Sequence, residues 1–363
     1  MNIAKKYICV IVFTSIIGLG LLISIIKKDE MFSDIENKVL AQKPILNSQS
    51  LMDGSYMDNF DKYATDQFPQ RVNFIKMKND IMHLLGQREF RGIYYKSGER
   101  LLEKFVYNNE LVSKNIEYMN TISNYFKLES TGMFIPTSIA IYKDVIPPYY
   151  ISSDQDKVLK DIKNEFSGEF YTPYSVLLKN RDKEIYFKTD HHWTQYGAKL
   201  MYEDYYDKKV NFNYKKVTSD FKGTYYSKVL SSGIESDDIY AYEDLKWNNI
   251  QYDGKESKSL YDEEKLNGKN KYQYFLNGDP AMALIQGKGK GEVLIFKDSF
   301  AHCYIPFLTR EYSKIHVIDP RYSNINIVDY VSENKNIEKI YYIYSLSSLN
   351  SNNIFEKYKN MLK

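Results

Sequence analysis

Two side chains suited to acid–base chemistry, those of Asp190 and His192, lie two positions apart at a predicted strand-to-helix turn. Apolar spacing predicts the strand over residues 184–188 and the helix over residues 194–206. In an extended segment, positions i and i+2 face the same side, so these two side chains should project together and His191 should point the other way. A carboxylate beside an imidazole fixes its tautomer and stabilises its charged form, which supplies two parts of a catalytic triad.

A serine at a second strand-to-helix turn can supply the nucleophile. The apolar run 293–297 predicts a buried strand, and Ser299 follows it at the predicted start of a helix that extends to about Tyr312. Active sites of open α/β sheets gather at the carboxyl ends of strands, and a helix N-terminus offers N–H groups to an oxyanion. Ser299, His192 and Asp190 therefore form a candidate acyl-transfer triad. The plainer role for Ser299 or the adjacent Asp298 is a helix N-cap.

The same part of the sequence leaves a second chemistry open. Asp190, His191, His192, Asp298 and His302 offer enough nitrogen and oxygen ligands for zinc or a similar ion. Neighbouring histidines in a strand point apart, which counts against a shared metal site. The sequence therefore predicts neither a metal nor a cofactor.

Composition narrows the class of protein. The 363 residues carry a formal net charge of +2, which argues against nucleic acid as a partner. With 43% hydrophobic residues, the chain can bury a sizeable core. Its two cysteines, Cys9 and Cys303, do not indicate a disulfide, because Cys9 falls within an apolar N-terminal run.

That run covers residues 7–26 and contains no charged side chain. An apolar stretch of about 20 residues is long enough to span a bilayer. No cleavage motif of small residues follows it, which predicts an uncleaved signal anchor with the N-terminus inside. The sequence therefore predicts a single-pass protein of the cell membrane, with the rest of the chain extracytoplasmic.

The pattern of the remaining chain predicts three parts. Residues 1–28 form the cytoplasmic tip and membrane anchor, residues 29–90 a stalk with helices that lead into the next part, and residues 91–363 a catalytic domain. Residues 208–280 are polar and are predicted to be an insertion of loops and short strands within that domain.

Short apolar runs predict the strands of the catalytic domain, at 132–136, 184–188, 293–297, 314–318 and 339–344. Helical patterns separate most of these runs. Alternating strands and helices indicate an α/β fold with a mostly parallel sheet flanked by helices.

The run 189–193, Thr-Asp-His-His-Trp, resembles the signature of the DHHW family of bacterial exported proteins. These proteins are similar to the SGNH-hydrolase-like proteins of alginate O-acetylation. Further short blocks resemble the family in the same order along the chain, at 32–33, 36–37, 40–41, 66–71, 94–96, 101–102, 134–138, 298–301, 306–308 and 318–322. The resemblance implies an SGNH-like sheet domain behind an N-terminal anchor.

The resemblance also implies roles for the triad residues. Ser299 would be the nucleophile, with its backbone N–H as one oxyanion donor. His192 would be the general base, and Asp190 would orient it.

Three further side chains are candidate substrate contacts. Asn277 lies in a segment that aligns with a family segment expected to be rich in Gly and Asn, and it is a candidate second oxyanion donor. Arg321 follows a predicted strand and could bind substrate or pair with Asp319, and the pairing is favoured. Trp193 could form the floor of a sugar-binding site or pack under His192, and packing is favoured.

The function implied by the resemblance is a membrane-anchored, extracytoplasmic O-acetyltransferase. It would acetylate a cell-surface or secreted polysaccharide through an acetyl-serine intermediate at Ser299. An integral membrane protein would be the partner that delivers the acetyl groups. Two alternatives stay open: a carbohydrate acetyl esterase that uses the same triad, and a non-catalytic surface scaffold that binds glycans or partner proteins.

Overall fold

The computed structural model describes residues 3–362. They divide into two compact units. One comprises the chain up to Arg88 together with Ser227–Gly233, and the other comprises Glu89–Tyr226 and the residues from Ile234 onward.

The first unit is largely helical. Its first helix covers the apolar run seen in the sequence. Within the part of the chain that the structure describes, no helix is both long and apolar enough to cross a membrane. The transmembrane anchor predicted for residues 7–26 stays a prediction. The elements of this unit are α1 (Ile3–Ile26), β1 (Phe32–Ser33), β2 (Lys38–Val39), α2 (Ser48–Met52), α3 (Ser55–Asp66) and α4 (Arg71–Leu84).

Charged residues at the end of α3 and the start of α4 hold the β1–β2 hairpin. The Asp66 carboxylate accepts a hydrogen bond from Lys38 Nζ at 2.6 Å and another from the Ala41 N–H at 3.0 Å. Arg71 forms an ion pair with the buried Glu36. The β1–β2 hairpin is thus fastened to both helices.

From residue 89 onward the chain alternates strands and helices. In order they are β3 (Glu89–Phe90), β4 (Ile93–Tyr94), β5 (Leu102–Glu103), α5 (Asn109–Phe126), β6 (Glu129–Ile135), α6 (Ser138–Ile141), α7 (Gln155–Glu165), β7 (Glu169–Tyr171), α8 (Tyr174–Lys179), α9 (Gln195–Tyr205), β8 (Tyr214–Phe221), α10 (Thr224–Val229), β9 (Asp237–Tyr242), β10 (Trp247–Tyr252), β11 (Lys255–Ser259), β12 (Met282–Gln286), β13 (Glu292–Lys297), α11 (Ile305–Leu308), β14 (Lys314–Ile318), α12 (Ile327–Glu333), β15 (Ile337–Ser345), α13 (Leu346–Ser351) and α14 (Glu356–Met361). Short 3-10 helices cover Lys143–Val145, Glu243–Leu245, Glu263–Asn267, Lys271–Tyr274 and Ser299–Cys303.

The core of the second unit is an eight-stranded sheet of order β11-β10-β12-β14-β13-β15-β6-β7. The strands from β14 to β7 run parallel, and β12, β10 and β11 are added antiparallel at one edge. The central strands are apolar runs that are buried along nearly their whole length, as strands covered on both faces must be. The predicted α/β fold with a mostly parallel sheet is confirmed.

Four of the predicted strands are present as β6, β13, β14 and β15. The strand predicted over residues 184–188 is wrong, because only Tyr186 pairs there, in an isolated antiparallel bridge with Trp193. Residues 208–280, predicted as an insertion, contribute β10 and β11 to the edge of the central sheet.

The segment after β13 also differs from its prediction. The sequence predicts one helix from Ser299 to about residue 312, whereas the structure has a five-residue 3-10 helix followed by the short α11. Pro306 lies in the first turn of α11. Because proline has no backbone N–H, it suits the start of a helix and disrupts the interior of a longer one.

Candidate active site

The Asp190–His192 pair lies in a tight loop that hydrogen bonds close on both sides. Tyr186 and Trp193 form a bridge across its base. The Phe187 N–H donates to the His192 carbonyl at 3.2 Å, and the Thr194 N–H donates to the Ile185 carbonyl at 3.0 Å. The segment is therefore a closed loop and not the extended strand that the sequence predicts.

A buried carboxylate, Asp237, shapes the start of this loop. It accepts hydrogen bonds from the Lys188 N–H at 2.7 Å, the Thr189 N–H at 2.8 Å and Thr189 Oγ1 at 2.6 Å. Burial raises the pKa of Asp237 above its ordinary value, and the nearby charge of Asp190 acts in the same direction. Asp237 thus fixes the backbone that precedes Asp190.

The structure brings Asp190, His192 and Ser299 together. His192 Nδ1 donates to Asp190 Oδ1 at 2.6 Å, and His192 Nε2 lies 2.7 Å from Ser299 Oγ. With its proton on Nδ1, the imidazole presents the lone pair of Nε2 to the Ser299 hydroxyl. This is the geometry in which a histidine withdraws the proton of a serine nucleophile.

The Asp190 carboxylate, only 2% exposed, is held as an anion. Oδ1 accepts from the backbone N–H and Nδ1 of His192. Oδ2 accepts from the backbone N–H of Thr224 at 2.8 Å and from Thr224 Oγ1 at 3.1 Å. Burial opposes the charge, but the neighbouring His191 and His192 and these hydrogen bonds outweigh it and lower the pKa of Asp190 well below its usual range.

His191 does not point away from the pair, contrary to the expectation from an extended strand. Its ring lies against the His192 ring, with centroids 3.7 Å apart. His191 Nδ1 is 2.7 Å from Thr224 Oγ1, which in turn donates to Asp190. The closed loop turns both imidazoles toward the same side.

Asp190, His191 and His192 also form a group of potential metal ligands, with one atom from each within 4.8 Å of the others. Asp298 and His302, the other two residues of the metal site that the sequence leaves open, form hydrogen bonds with other groups. The Asp298 carboxylate accepts from the Phe300 N–H at 2.9 Å, and His302 accepts from Lys297 Nζ at 2.8 Å. Metal binding at the three-residue group would displace the short Asp190–His192 hydrogen bond.

The turn that carries Ser299 is fixed through its neighbours. Asp298 is the N-cap of the 3-10 helix, which leaves the Ser299 side chain facing His192. The second Asp298 oxygen accepts from the N–H and Oγ of Ser345, at 2.8 and 2.7 Å. The Phe300 N–H is occupied by Asp298, so the Ser299 N–H is the better placed donor for an oxyanion on this turn.

Trp193 joins the two halves of the site. Its side chain is fully buried, and Nε1 donates to the Phe300 carbonyl at 2.8 Å. The structure therefore places this indole inside the protein, where it ties the loop of His192 to the turn of Ser299. It does not lie at a surface where a sugar ring could stack.

A residue from the predicted insertion covers the His192 imidazole. The buried ring of Tyr272 stacks on His192, with centroids 3.7 Å apart and an angle of 8° between the rings. Its hydroxyl donates to the Ser299 carbonyl at 3.0 Å. Tyr272 thus contacts both His192 and the segment that carries Ser299.

Four residues of the site escaped the sequence analysis: Gly223, Thr224, Asp237 and Tyr272. They reach the site by tertiary folding from a region whose local pattern indicated only loops and short strands. A glycine can mark a close approach of backbone to another group, which is the one signal that Gly223 offered.

Arg321 makes the pairing that the sequence favoured. Its guanidinium donates to both oxygens of the fully buried Asp319, at 2.9 and 2.6 Å. Lys297 Nζ donates to Asp319 Oδ2 at 2.9 Å. Burial opposes the charge on Asp319, but Arg321 and Lys297 outweigh it and lower its pKa. Burial lowers the pKa of the adjacent His302, and the charge of Lys297 lowers it further, so His302 is neutral.

Asn277 lies exposed in the loop that precedes β12. Its φ of 55° is in the left-handed region, where asparagine is among the better tolerated residues. It lines a polar cavity together with Asp279.

The fold and the site define the class of protein: a mixed α/β protein with a largely parallel sheet and an Asp–His–Ser arrangement. A family model described as "DHHW protein" matches residues 86–318. The chain belongs to this family, and the resemblance seen in the sequence is confirmed. No curated protein matched the chain.

Solved structures agree with this fold. A DHHW family protein from Eubacterium siraeum has a TM-score of 0.63 at 20% identity, over 74% of this chain and 94% of that chain. Bacillus cereus PatB1 has a TM-score of 0.61 at 18% identity, over 73% and 99%. The O-acetyltransferase domain of Pseudomonas putida AlgJ has a TM-score of 0.46 at 10% identity, over 75% and 98%. The first two likenesses establish the fold.

Proposed function

We propose that this protein is a serine-dependent O-acetyltransferase that acts on a cell-surface or secreted polysaccharide. The observation that carries the proposal is the continuous hydrogen-bonded series from Ser299 Oγ through His192 to Asp190. Membership of the DHHW family, which resembles proteins of alginate O-acetylation, supports acetyl as the group transferred and a polysaccharide as the acceptor.

In the first half-reaction, Ser299 Oγ attacks the carbonyl carbon of an acetyl donor while His192 Nε2 takes the hydroxyl proton. The negative charge that develops on the carbonyl oxygen is met by the Ser299 N–H. Asp190 stabilises the imidazolium that forms. The tetrahedral intermediate then collapses, the donor's leaving group receives the proton from His192, and an acetyl ester remains on Ser299.

In the second half-reaction, a hydroxyl of the acceptor sugar gives its proton to His192 and attacks the acetyl carbonyl. Collapse of this second intermediate breaks the Ser299–acetyl bond and returns the proton to Ser299 Oγ. The products are an acetylated sugar and free enzyme. Water attacking in place of the sugar would make the protein an acetyl esterase, which is the alternative that uses the same residues.

The proposed cellular setting is the outer side of the cell membrane, with an integral membrane protein that delivers acetyl groups. The uncharged run 7–26 supports export or anchoring of the chain. Fractionation of cells and external protease treatment test this setting. Recovery of the full chain from the cytosol, protected from external protease, would contradict it.

The test of the chemistry uses the full chain and an activated acetyl ester. The wild-type protein should gain one acetyl group on Ser299, located by intact mass and peptide mapping. The adduct should not form in Ser299→Ala. In His192→Ala it should either not form, or form and discharge slowly. Addition of candidate oligosaccharides should then discharge the adduct faster than water does.

Three outcomes would overturn the proposal. Discharge at the same rate with and without glycans would favour the esterase. If the wild-type protein neither turns over the ester nor forms the adduct, and yet binds glycans, the result would favour a scaffold. A strain carrying Ser299→Ala that keeps its normal level of cell-surface acetylation would also favour the scaffold.

A further inference from the structure

A polar cavity of about 560 Å³ lies between the β10–β11 hairpin and the loop that precedes β12. Its lining includes Tyr252 and Glu256 from the hairpin and Asn277 and Asp279 from the loop. Pockets that bind small molecules in proteins commonly fall in this range of size. The triad does not account for this cavity.

The cavity opens at the same edge of the sheet as Ser299. Met282, at the start of β12, pairs with Ile318 at the end of β14, and Ile318 pairs with Phe296 at the end of β13. Tyr252, at the end of β10, pairs with Ala283. The hairpin, the loop before β12 and the turn of Ser299 therefore all lie at the carboxyl edge of the parallel strands, where α/β proteins bind ligands.

Side chains connect the cavity wall to the triad. Asp279 Oδ1 lies 3.8 Å from His302 Nε2 and 3.9 Å from an Arg321 terminal nitrogen. The Tyr272 ring lies near His302, with centroids 6.0 Å apart, and stacks on His192. From Asp279 to His192 there is a continuous series of side chains, in which the linking His302 and Tyr272 are buried.

The separation between cavity and nucleophile sets the length of a ligand that reaches both. In the sheet, β12 and β14 lie between β10 and β13. Strands lie about 4.8 Å apart, so β10 and β13 are separated by roughly 14 Å. This is farther than a single sugar ring extends, so one ligand that occupies both places is an oligosaccharide.

The charge of the lining restricts the kind of sugar. Five carboxylates and one lysine line the cavity: Asp253, Glu256, Asp262, Glu263, Asp279 and Lys255. Glu263 is paired with Lys246, and Asp279 faces Arg321. The remaining carboxylates still outnumber the lysine, so the cavity carries a negative field that repels anionic groups.

We propose that this cavity is the acceptor subsite and that it takes an oligosaccharide without anionic groups, built from neutral or amino-bearing sugars. The inference rests on the proposed acetyl transfer. Uronate and phosphate-bearing polymers are excluded as acceptors by the carboxylates of the lining.

The test separates acylation from acceptor choice. The full chain is first converted to its acetyl-Ser299 form with the activated ester, which does not involve the cavity. Three tetrasaccharides are then compared for discharge of the adduct: one of glucose, one of glucosamine and one of galacturonate. We expect the first two to accelerate discharge and the third to leave it at the rate in water. Free glucose should act much more weakly than its tetrasaccharide.

A charge-neutralising variant tests the cause of the selection. In Glu256→Gln/Asp262→Asn, discharge by the galacturonate tetrasaccharide should rise about tenfold, because two nearby repulsions are removed. The carbonyl oxygen of the introduced asparagine can still accept the capping hydrogen bond that Asp262 receives from the Glu264 N–H. The matched control, Glu117→Gln/Glu129→Gln, removes two exposed carboxylates away from the cavity and should behave as wild type.

The acceptor subsite would be overturned if all three tetrasaccharides discharged the acetyl-Ser299 adduct at the same rate. It would also be overturned if Glu256→Gln/Asp262→Asn kept the wild-type preference among them. Either result would leave the proposed acetyl transfer intact. Failure to form the adduct would count against the proposed function alone. The subsite is then judged by direct binding of the same tetrasaccharides, measured by calorimetry. Galacturonate binding as tight as glucose binding would overturn it.

Discussion

Both oxygens of the Asp190 carboxylate are used as hydrogen-bond acceptors within the site. Each of its oxygens accepts two hydrogen bonds, one pair from His192 and the other from Thr224. The orientation of the triad therefore depends on a residue 34 positions further along the chain.

Thr224→Val removes one hydroxyl donor from Asp190 and leaves the backbone donor in place. A hydrogen bond to a charged group contributes about 1.5–3 kcal/mol, so the rate of Ser299 acetylation should fall about tenfold or more. Thr224→Ser keeps the hydroxyl and should stay near the wild-type rate. Equal rates for the valine and serine variants would show that the hydroxyl does not orient the triad.

Residue types and spacing predicted that Asp190, His192 and Ser299 lie together, because Asp190 and His192 form a carboxylate–imidazole pair and Ser299 follows a buried apolar strand. The orientation of His191 could not be predicted, since it depends on the Tyr186–Trp193 bridge that closes the loop. Thr224 could not be predicted either, because its contact with Asp190 exists only in the folded protein.

The connection between β8 and α10 is the element that brings Thr224 to the site, and it passes very close to Asp190. A Cβ added at Gly223 would lie 2.2 Å from Asp190 Oδ2 and 2.3 Å from Asp190 Cβ. Only glycine leaves room for the carboxylate at this approach.

Gly223→Ala should displace Asp190 or the connection itself. Overpacking of this kind costs about 1–3 kcal/mol of unfolding free energy, and Ser299 acetylation should fall with it. Denaturant unfolding and adduct formation measure the two effects. In the control Gly268→Ala, the added Cβ meets its nearest atom at 3.6 Å, so both quantities should stay close to wild type. Wild-type behaviour of Gly223→Ala would contradict the tight approach.

The elements predicted best are those that bury a continuous apolar run. β13, β14 and β15 lie in the sheet centre, and their sequences alone identify them. β11 reads Lys-Glu-Ser-Lys-Ser and pairs only at the edge, so its polar sequence gave no signal. The helix predicted after Ser299 is too long, because Pro306 starts a separate short helix, α11.

At the scale of the whole molecule, two buried carboxylates give opposite dependences of stability on pH. The folded-state pKa of Asp190 is lowered from an ordinary value of 3.8, and that of Asp237 is raised from the same value. Asp190 thus contributes stability above about pH 3.8 that is lost as the pH falls through its lowered pKa. Asp237 contributes stability at low pH that is lost as the pH rises through its raised pKa.

Denaturant unfolding at neutral and at acid pH, down to about pH 3, should reveal both signs. The deficit of Asp190→Asn relative to wild type should be larger at neutral pH and shrink in acid. The deficit of Asp237→Asn should instead grow in acid. Parallel behaviour of the two variants would contradict the opposite shifts.

The order of strands in the sheet has a consequence for how the chain is made. β15 lies between β13 and β6, so the strand that joins the early part of the sheet to the late part is synthesised after the other seven strands of this sheet. Its last residue, Ser345, also holds Asp298 beside the nucleophile. A nascent chain that stops before β15 already contains Asp190, His192 and Ser299, yet it lacks the strand that unites the sheet. The candidate triad can therefore be held by the complete sheet only after β15 has been synthesised.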